Sequence, residues 1–242
     1  MKNAVERHFD NFSSAYEDHF SGERSGKNFE FGKRIELLSN YMIGQNGSLL
    51  DCACGSGDVT LATIRSANFQ KITLLDLSQN MLDISMRKFD NLELECIFKK
   101  QDIFSYSPKS DTKYDVILCI GLVAHTGRLE ELLAILKSLL SPTGFILFQT
   151  TLYDHLGTRM LHHFSKRRFR KRHQYEISYY TEADIEKSSE DAGLYVESKS
   201  KYCLGIPYGD LFFPWINYSL EKLLQRMSGR TGSEAIYKFI VR

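Results

Sequence analysis

A short apolar stretch that runs directly into two glycines constrains this chain more than any other part of its sequence. Residues 48–52 are mostly apolar, as a strand covered on both faces should be. Gly55 and Gly57 follow at a spacing that lets the backbone approach a ligand, and residues 59–64 have a helical pattern. Asp51 places a carboxylate at the end of the strand. The pattern predicts a strand, a glycine turn and a helix, with a ligand at the turn.

The composition is that of a globular protein with one core. The chain has 242 residues, 43% of them hydrophobic, and no long Pro/Gly/Ser linker, which favours one domain over two. Its formal net charge of +1 provides no global attraction to nucleic acid or to an anionic membrane. No apolar run reaches the length of a transmembrane helix, and the first residues lack the apolar block of a secretory signal. We therefore expect a cytoplasmic protein.

The five cysteines are odd in number and lie mostly in apolar segments. We expect them to be reduced core residues rather than members of a disulfide framework. Cys52 and Cys54 are close together, but no second cysteine pair or histidine cluster at zinc spacing accompanies them. A metal site is therefore not predicted.

Segments of strand type alternate with segments of helical periodicity along most of the chain. After the first strand, the predicted strands are residues 71–76, 92–98, 114–120, 145–150, 194–202 and 234–241. Helical patterns precede the first strand at residues 5–20 and 31–41, and a short helix within 104–112 is expected to join the third and fourth strands. The alternation predicts an open α/β sheet with ligands at the carboxyl ends of its strands.

A second carboxylate, Asp76, ends the second predicted strand. At about twenty residues beyond the glycine turn, it is placed to accept hydrogen bonds from a ribose diol. Thr60 stands where the third glycine of a dinucleotide-binding turn is expected, so the full fingerprint is missing. These features fit any adenosine-containing ligand.

Several motifs in order make the prediction more specific. They are Leu50-Asp51-Cys52-Ala53-Cys54-Gly55-Ser56-Gly57, Asp76-Leu77-Ser78-Gln79-Asn80-Met81-Leu82, Gln101-Asp102, and Tyr114-Asp115-Val116-Ile117 with His125. Together they resemble the class I S-adenosylmethionine-dependent methyltransferases. The resemblance implies a Rossmann-like sheet of seven strands, mostly parallel, with helices on both faces and an antiparallel last strand.

The resemblance also implies S-adenosyl-L-methionine as the cofactor and a set of residues around it. The implied cofactor-binding residues are Tyr16, Asp51, Ala53, Gly55, Gly57, Asp76, Leu77, Met81, Asp102, Ile103 and Ile120. It further implies a single methyltransferase domain over residues 1–242. Its expected parts are an N-terminal helical cap (1–45), a cofactor-binding core (46–203), an insertion (204–232) and the last strand (233–242).

Each implied residue has a role by position in the motifs. The backbone at Ala53, Gly55 and Gly57 would line the methionine part of the cofactor, and Ala53 departs from the glycine that is more frequent in the family. Asp76 would hold the ribose hydroxyls, with Leu77 and Met81 near the adenine. Asp102 would accept from the adenine amino group, Ile103 would offer its backbone N–H, and Ile120 would lie beside the sulfonium. Tyr16 resembles a tyrosine that closes over the cofactor; the alternative is a plain core tyrosine.

Methyl transfer from a sulfonium is an in-line displacement, so alignment of the reactants supplies much of the catalysis. A hydroxyl acceptor must lose its proton, and His125, just beyond the fourth strand, is the candidate catalytic base. The alternative is that His125 orients the following loop. His155, His162 and His163 lie in a segment that is expected to be irregular and are weaker, solvent-exposed candidates.

Two further stretches are candidates for the acceptor side. The basic residues of 166–172 suit an anionic group on the acceptor, or form a solvated helix face. The aromatic cluster at 212–215 suits the wall of an apolar pocket or a membrane contact, and equally a core or oligomer contact.

The function predicted from the sequence is methyl transfer to a small-molecule acceptor, at oxygen. One alternative is an RNA methyltransferase that grips phosphates with residues 166–172. The near-neutral charge and the absence of an Asn/Asp-Pro-Pro-Tyr motif after the fourth strand count against it. The other alternative is a non-catalytic protein that binds S-adenosylmethionine and assists another enzyme. The oligomeric state stays open.

Overall fold

The structure is a computed structural model. It describes residues 4–20, 26–109, 112–204, 213–227 and 231–241. Within these ranges only the backbone is described for residues 14–20, 26, 164–169, 172–173 and 226–227.

Seven strands of the described chain form one sheet. They are β1 (Asn46–Asp51), β2 (Asn68–Asp76), β3 (Glu95–Lys100), β4 (Tyr114–Ile120), β5 (Leu140–Thr151), β6 (Tyr195–Tyr202) and β7 (Glu234–Ile240). Their order across the sheet is β3-β2-β1-β4-β5-β7-β6. Only β7 runs against its neighbours, since it pairs antiparallel with both β5 and β6. The predicted fold, mostly parallel with an antiparallel last strand, is confirmed.

Helices cover both faces of this sheet. They are α1 (Ala4–Phe20), α2 (Gly26–Met42), α3 (Asp58–Thr63), α4 (Gln79–Phe89), α5 (Leu122–Thr126), α6 (Leu129–Leu139), α7 (Leu156–His173), α8 (Glu182–Asp191) and α9 (Pro214–Met227). Short 3₁₀ turns occur at Ile64–Ser66 and Ile103–Ser105. The start of α8 is a capping box, in which Thr181 and Asp184 satisfy each other's backbone N–H groups.

Two hydrophobic clusters lie on opposite faces of the sheet. On one face, the leucines of α6 pack with Ile117 and Phe148. On the other face, Leu38 of α2 packs with Leu49 and Leu118. Because both faces are covered, the central strands are almost continuously apolar, which is the pattern seen in the sequence.

The expected helix between the third and fourth strands was wrong. In the described part of the link between β3 and β4, residues 101–109 and 112–113, the helical element is the 3₁₀ turn Ile103–Ser105, and residues 106–109 are not helical. The helix expected at 104–112 is therefore not found there; residues 110 and 111 lie outside the described residues. The segment lacks an apolar face, and Pro108 disfavours a helical conformation in the residue before it. The third strand also begins later than expected, at Glu95.

The segment after β5 was expected to be irregular, but it contains the long helix α7. Arg, Lys, Leu and Met have high helix propensities, and they form this helix without a clear apolar stripe. Of the predicted insertion 204–232, α9 is described, whereas residues 205–212 and 228–230 lie outside the described residues.

The five cysteines are free; four are buried and Cys96 is half-buried. The described residues contain no group of three or more side chains suited to hold a metal ion. Among the helices of the described ranges, none is long and apolar enough to cross a membrane.

Candidate functional site

The candidate site lies where the strand order reverses. From β1 the chain continues to β2 on one side, whereas β4 pairs with β1 on the other side. In open α/β sheets, ligands bind at such a switch point, beyond the carboxyl ends of the strands. The turns after β1, β2, β3 and β4 contain most of the predicted cofactor-binding residues.

Asp51, the last residue of β1, is a buried carboxylate. It accepts hydrogen bonds from the Thr60 hydroxyl and, over 3.2 Å, from the Ala53 backbone N–H. Burial raises the pKa of Asp51 from 3.8 to about 6, and the hydrogen bonds from Thr60 and Ala53 only partly offset this rise. A carboxylate here is therefore costly without a positively charged neighbour.

Asp76, the last residue of β2, lies beside Asp51. Its two oxygens accept 2.8 Å hydrogen bonds from the backbone N–H groups of Gly55 and Ser78. Burial raises the pKa of Asp76, and Asp51 and Asp76 repel each other. In the described part of the chain, no cationic side chain pairs with either carboxylate. The two strand ends thus form a negative, partly desolvated site that suits a cationic ligand.

The two glycines of the turn have left-handed backbone conformations, with φ of 53° at Gly55 and 79° at Gly57. At Gly57 a Cβ atom would lie 2.4 Å from Ser85 Oγ and 2.9 Å from a ring carbon of Phe89. Gly57 is therefore required for close packing of the turn against α4, in addition to any ligand contact. The predicted contact of its backbone with the cofactor stays a prediction.

The start of α4 follows Asp76 directly. Ser78 caps this helix by accepting a 3.2 Å hydrogen bond from the Met81 backbone N–H. Met81 is buried and Leu77 is half-buried. Both residues thus lie beside the carboxyl end of β2, where adenine packing was predicted.

Asp102 caps the 3₁₀ turn after β3. Its Oδ1 atom accepts a 3.0 Å hydrogen bond from the Phe104 backbone N–H, and Ile103 is buried. One oxygen of Asp102 is therefore used within its own turn. The predicted contacts of Asp102 and Ile103 with adenine stay predictions.

Helix α1 crosses over these turns. Asp10 accepts a 2.6 Å hydrogen bond from the Ser78 hydroxyl, and its carbonyl accepts a 3.0 Å bond from the Asn80 side chain. Glu6 forms a 2.9 Å ion pair with Lys100 at the end of β3. The side chain of Tyr16 lies outside the described residues, so its predicted closure over the cofactor stays a prediction.

His125 is on α5, just beyond Ile120 and Gly121 at the end of β4. Its Nδ1 atom is 3.1 Å from the Tyr175 hydroxyl, and its ring packs edge-on against Phe9 of α1 at 5.1 Å between centroids. Burial, together with the nearby His8, lowers the pKa of His125 from 6.5 to about 4. The imidazole is therefore neutral at pH 7 and only weakly basic.

Of the three weaker histidine candidates, His155 and His162 are half-buried, contrary to expectation, and His163 is exposed as expected. The His162 and Tyr179 rings lie 4.9 Å apart between centroids, with their planes tilted by 38°. Of the basic run, Arg170 and Lys171 are exposed, and Arg170 forms a 3.0 Å ion pair with Glu176. The side chains at 166–169 and 172 lie outside the described residues.

Of the aromatic cluster, Phe213 and Trp215 are 60% and 65% exposed, and Phe212 is outside the described residues. Neither described side chain is part of the core.

A buried polar cluster beside β4 was not found from the sequence. Gln149 on β5 donates a 2.5 Å hydrogen bond to Glu234, the first residue of β7. The one available signal was a glutamine within the otherwise apolar strand Phe145-Ile146-Leu147-Phe148-Gln149. Its pairing with a residue 85 positions later has no local signature.

Residues 24–199 match the model of a protein family described as a methyltransferase domain. Over 84 residues the chain is 32% identical to a release factor glutamine methyltransferase of Streptococcus pneumoniae, covering 35% of this chain and 29% of that protein. Over 117 residues it is 22% identical to a ubiquinone biosynthesis O-methyltransferase of Coxiella burnetii, covering 48% and 49%. The chain thus aligns with half or less of the length of these curated relatives.

Solved structures share the fold at low sequence identity. Magnesium protoporphyrin IX methyltransferase from Synechocystis PCC 6803 with bound SAH superposes with a TM-score of 0.67 over 100% of both chains, at 14% identity. A complex of the Haloferax volcanii Trm112 methyltransferase activator with a methyltransferase gives 0.68 at 16% identity, over 96% of this chain and 97% of that one. Given the family match over residues 24–199, the chain belongs to the class I S-adenosylmethionine-dependent methyltransferase family.

Proposed function

We propose that this protein transfers the methyl group of S-adenosylmethionine to a hydroxyl group of a small molecule. The observation that carries the proposal is the pair of carboxylates, Asp51 and Asp76, at the switch point of the sheet. Both have raised pKa values, and in the described chain neither is paired with a cation. S-adenosylmethionine bears a sulfonium and an ammonium group, so its charge complements this site.

Each turn of the site has a proposed part in holding the cofactor. Asp76 accepts hydrogen bonds from the ribose hydroxyls, for which its bonds to Gly55 and Ser78 already orient it. The glycine turn lines the methionine part, and Asp102 with Ile103 binds the adenine edge. Ile120, at the end of β4, borders the sulfonium. Residues 1–45 act as a cap, because Asp10 in α1 ties this helix to the turn after β2.

S-adenosylmethionine, when bound, would supply a methyl group on a positively charged sulfur, and the sulfur would be the leaving group when a nucleophile attacks the methyl carbon in line. The chain aligns the acceptor and takes the proton of its hydroxyl. His125 is the proposed proton acceptor, because its imidazole is neutral at pH 7 and lies just beyond β4. Its hydrogen-bonding contact with Tyr175 orients the ring.

A small acceptor is favoured because the edge beyond β4 is covered. Phe9 of α1 and Tyr175 both lie against His125, and His8 is 5.8 Å from Tyr175 between ring centroids. These contacts enclose one side of His125, which favours a small acceptor over a macromolecule at this position. The curated relative from Coxiella burnetii is named for ubiquinone biosynthesis and O-methylation, which supports the same acceptor class.

A protein acceptor is the second candidate, because the relative from Streptococcus pneumoniae is a release factor glutamine methyltransferase. That alignment covers 35% of this chain. An RNA acceptor would use the basic residues of 166–172, of which only Arg170 and Lys171 have described side chains. Two further alternatives concern the role of the chain itself. It binds the cofactor without catalysing a reaction, or it acts only together with a partner protein of the Trm112 kind.

The test is to incubate the isolated chain with methyl-labelled S-adenosylmethionine and separate metabolite, RNA and protein fractions. We expect a labelled small molecule by mass spectrometry with wild type and strongly reduced labelling with Asp76→Ala at a cofactor concentration that does not saturate the variant. Asp83→Ala is the matched control, because Asp83 is an exposed carboxylate on α4 that accepts a hydrogen bond from the Gln79 side chain. Label found only in RNA or only in protein would refute the proposed acceptor class, and no label in any fraction would refute catalysis by the isolated chain.

A further inference from the structure

The buried pair of Gln149 and Glu234 has no assigned role so far. Gln149 is 2% exposed and Glu234 is 6% exposed. Gln149 Nε2 donates its hydrogen bond to Glu234 Oε2. Two long polar side chains are thus enclosed beside the carboxyl end of β4, where burial is costly unless every polar atom is satisfied.

One atom of the pair is not satisfied. In the described part of the chain, the buried Gln149 Oε1 atom receives no hydrogen bond. It lies 3.7 Å from the position that a Cβ atom on Gly121 would take. Gly121 directly follows Ile120, the residue proposed to border the sulfonium, and Ile120 is the register partner of Gln149 across the sheet. The unsatisfied oxygen therefore faces the site from the side of β5.

The surroundings of Glu234 determine which ligand suits the pair. Glu30 and Arg34 of α2 form an ion pair, and Arg34 Nε donates a 3.2 Å hydrogen bond to the Tyr202 hydroxyl. Tyr202 is the register partner of Glu234. The titratable groups whose charges influence Glu234 or respond to it are Glu30, Arg34, Tyr179, Tyr202 and Cys203.

Burial raises the pKa of Glu234 to about 8, with a further rise from Glu30 and an opposing effect of Arg34. At pH 7 the carboxyl is therefore mostly protonated, and Glu30 and Arg34 neutralise each other. A neutral cluster offers no counter-charge to an ammonium group. It suits a neutral hydrogen-bond donor instead.

We propose that Gln149 and Glu234 form the acceptor-side wall of the methyl-transfer site and bind a neutral O–H or N–H donor of the methyl acceptor, beside the hydroxyl that is methylated. Gln149 Oε1 accepts a hydrogen bond from that donor, and the Glu234 carboxyl holds the amide of Gln149 in place. The proton of the reacting hydroxyl is left for His125. This inference rests on the proposed function, since it requires the methyl group to lie beside Ile120 and Gly121.

The first test needs no acceptor. S-adenosylmethionine has a positive charge at sulfur that S-adenosylhomocysteine lacks, so only the former favours ionisation of a nearby Glu234. Calorimetry at pH 8, in buffers of different ionisation enthalpy, counts the protons released on binding each compound. If the sulfonium charge lowers the pKa of Glu234 from about 8 by one unit, wild type should release about 0.4 proton more on binding S-adenosylmethionine than on binding S-adenosylhomocysteine. In Glu234→Gln this difference between the two compounds should be absent. Asp51 is already ionised at pH 8 and adds nothing.

The outcomes separate the two proposals. If neither compound binds to wild type, the proposed function is refuted. If both bind and the difference in proton release is the same in wild type and Glu234→Gln, Glu234 does not face the methyl position and the inference is overturned.

The second test measures binding of the acceptor. Labelled product is measured over serial dilutions of the metabolite extract for wild type, Gln149→Leu and Tyr114→Phe. We expect Gln149→Leu to need about tenfold more extract for half-maximal rate, the loss of one hydrogen bond, with unchanged affinity for S-adenosylhomocysteine. Tyr114→Phe is the matched control: it removes a buried hydroxyl at the amino end of β4, the end opposite Ile120, and it should keep the wild-type dilution curve. Equal curves for wild type and Gln149→Leu would overturn the inference.

Discussion

Replacing Asp51 by asparagine tests whether the end of β1 is built for a cationic ligand at a cost in stability. In the folded chain the pKa of Asp51 is raised from 3.8 to about 6. The carboxyl is therefore more easily protonated in the folded state than in the unfolded state. The stability that protonation provides is fully present below pH 3.8 and is lost as the pH rises to 6. Above pH 6 the ionised form costs about 3 kcal/mol, at 1.36 kcal/mol per pKa unit.

Asparagine has the shape of the protonated acid and no charge. Its carbonyl can accept from the Ala53 N–H, and its amide can donate to the Thr60 hydroxyl, which now donates to Asp51. A change in these neutral hydrogen bonds costs about 1 kcal/mol. We therefore expect Asp51→Asn to be more stable than wild type by about 2 kcal/mol at pH 8. About 1.4 kcal/mol of the 3 kcal/mol effect develops between pH 5 and pH 8.

The assay is urea denaturation of the free protein at pH 5, 6, 7 and 8. Thr60→Val serves as the opposite control, because it removes a hydrogen bond to the carboxylate and should destabilise most at pH 8. The gain in Asp51→Asn should be accompanied by weaker binding of S-adenosylmethionine. A variant that is less stable than wild type at pH 8, or a difference that does not depend on pH, would refute the reasoning.

Three further predictions concern other parts of the site and the fold. Asp76→Ala should weaken S-adenosylmethionine binding about 100-fold in calorimetry, since about two hydrogen bonds to an ionised group are lost; wild-type affinity would remove Asp76 from the cofactor site. For His125, the pKa of about 4 predicts that the free energy of unfolding falls as the pH drops from 6.5 towards 4. The variant His125→Gln should reduce that loss in an acid titration. If wild type and variant gave identical acid titrations, His125 would not be buried in its neutral form. Thr181→Ala should cost about 1 kcal/mol in urea denaturation through loss of the α8 cap, with unchanged cofactor affinity; an unchanged midpoint would contradict the capping box.

The parts of the fold that follow from local patterns could be predicted from the sequence. The strands before Asp51 and Asp76 are apolar because helices cover both faces of the sheet, and each strand ends in a carboxylate. Thr181, the capping residue, also predicts the start of α8 from neighbouring residues alone. In each case neighbouring residues determine the structure.

What could not be predicted depends on contacts between distant residues. Asp10 meets Ser78 across 68 positions, and Gln149 meets Glu234 across 85. Neither contact has a local signature, and Gln149, the proposed acceptor-side residue, was missed for that reason. The lowered pKa of His125 likewise comes from its enclosure by other elements, including His8 of α1, which the order of residues around His125 does not show.

The antiparallel strand β7 has a consequence for how the site is assembled. Residues 234–240 lie between β5, which ends at Thr151, and β6, which ends at Tyr202. During synthesis these two strands leave the ribosome first and have no hydrogen-bonded partner between them until the last strand arrives. Pairing over such long separations is slow. We therefore expect the turns after β1 and β2 to form before β7 pairs, so that the proposed methyl-donor side of the site is built before the proposed acceptor wall, which requires Glu234.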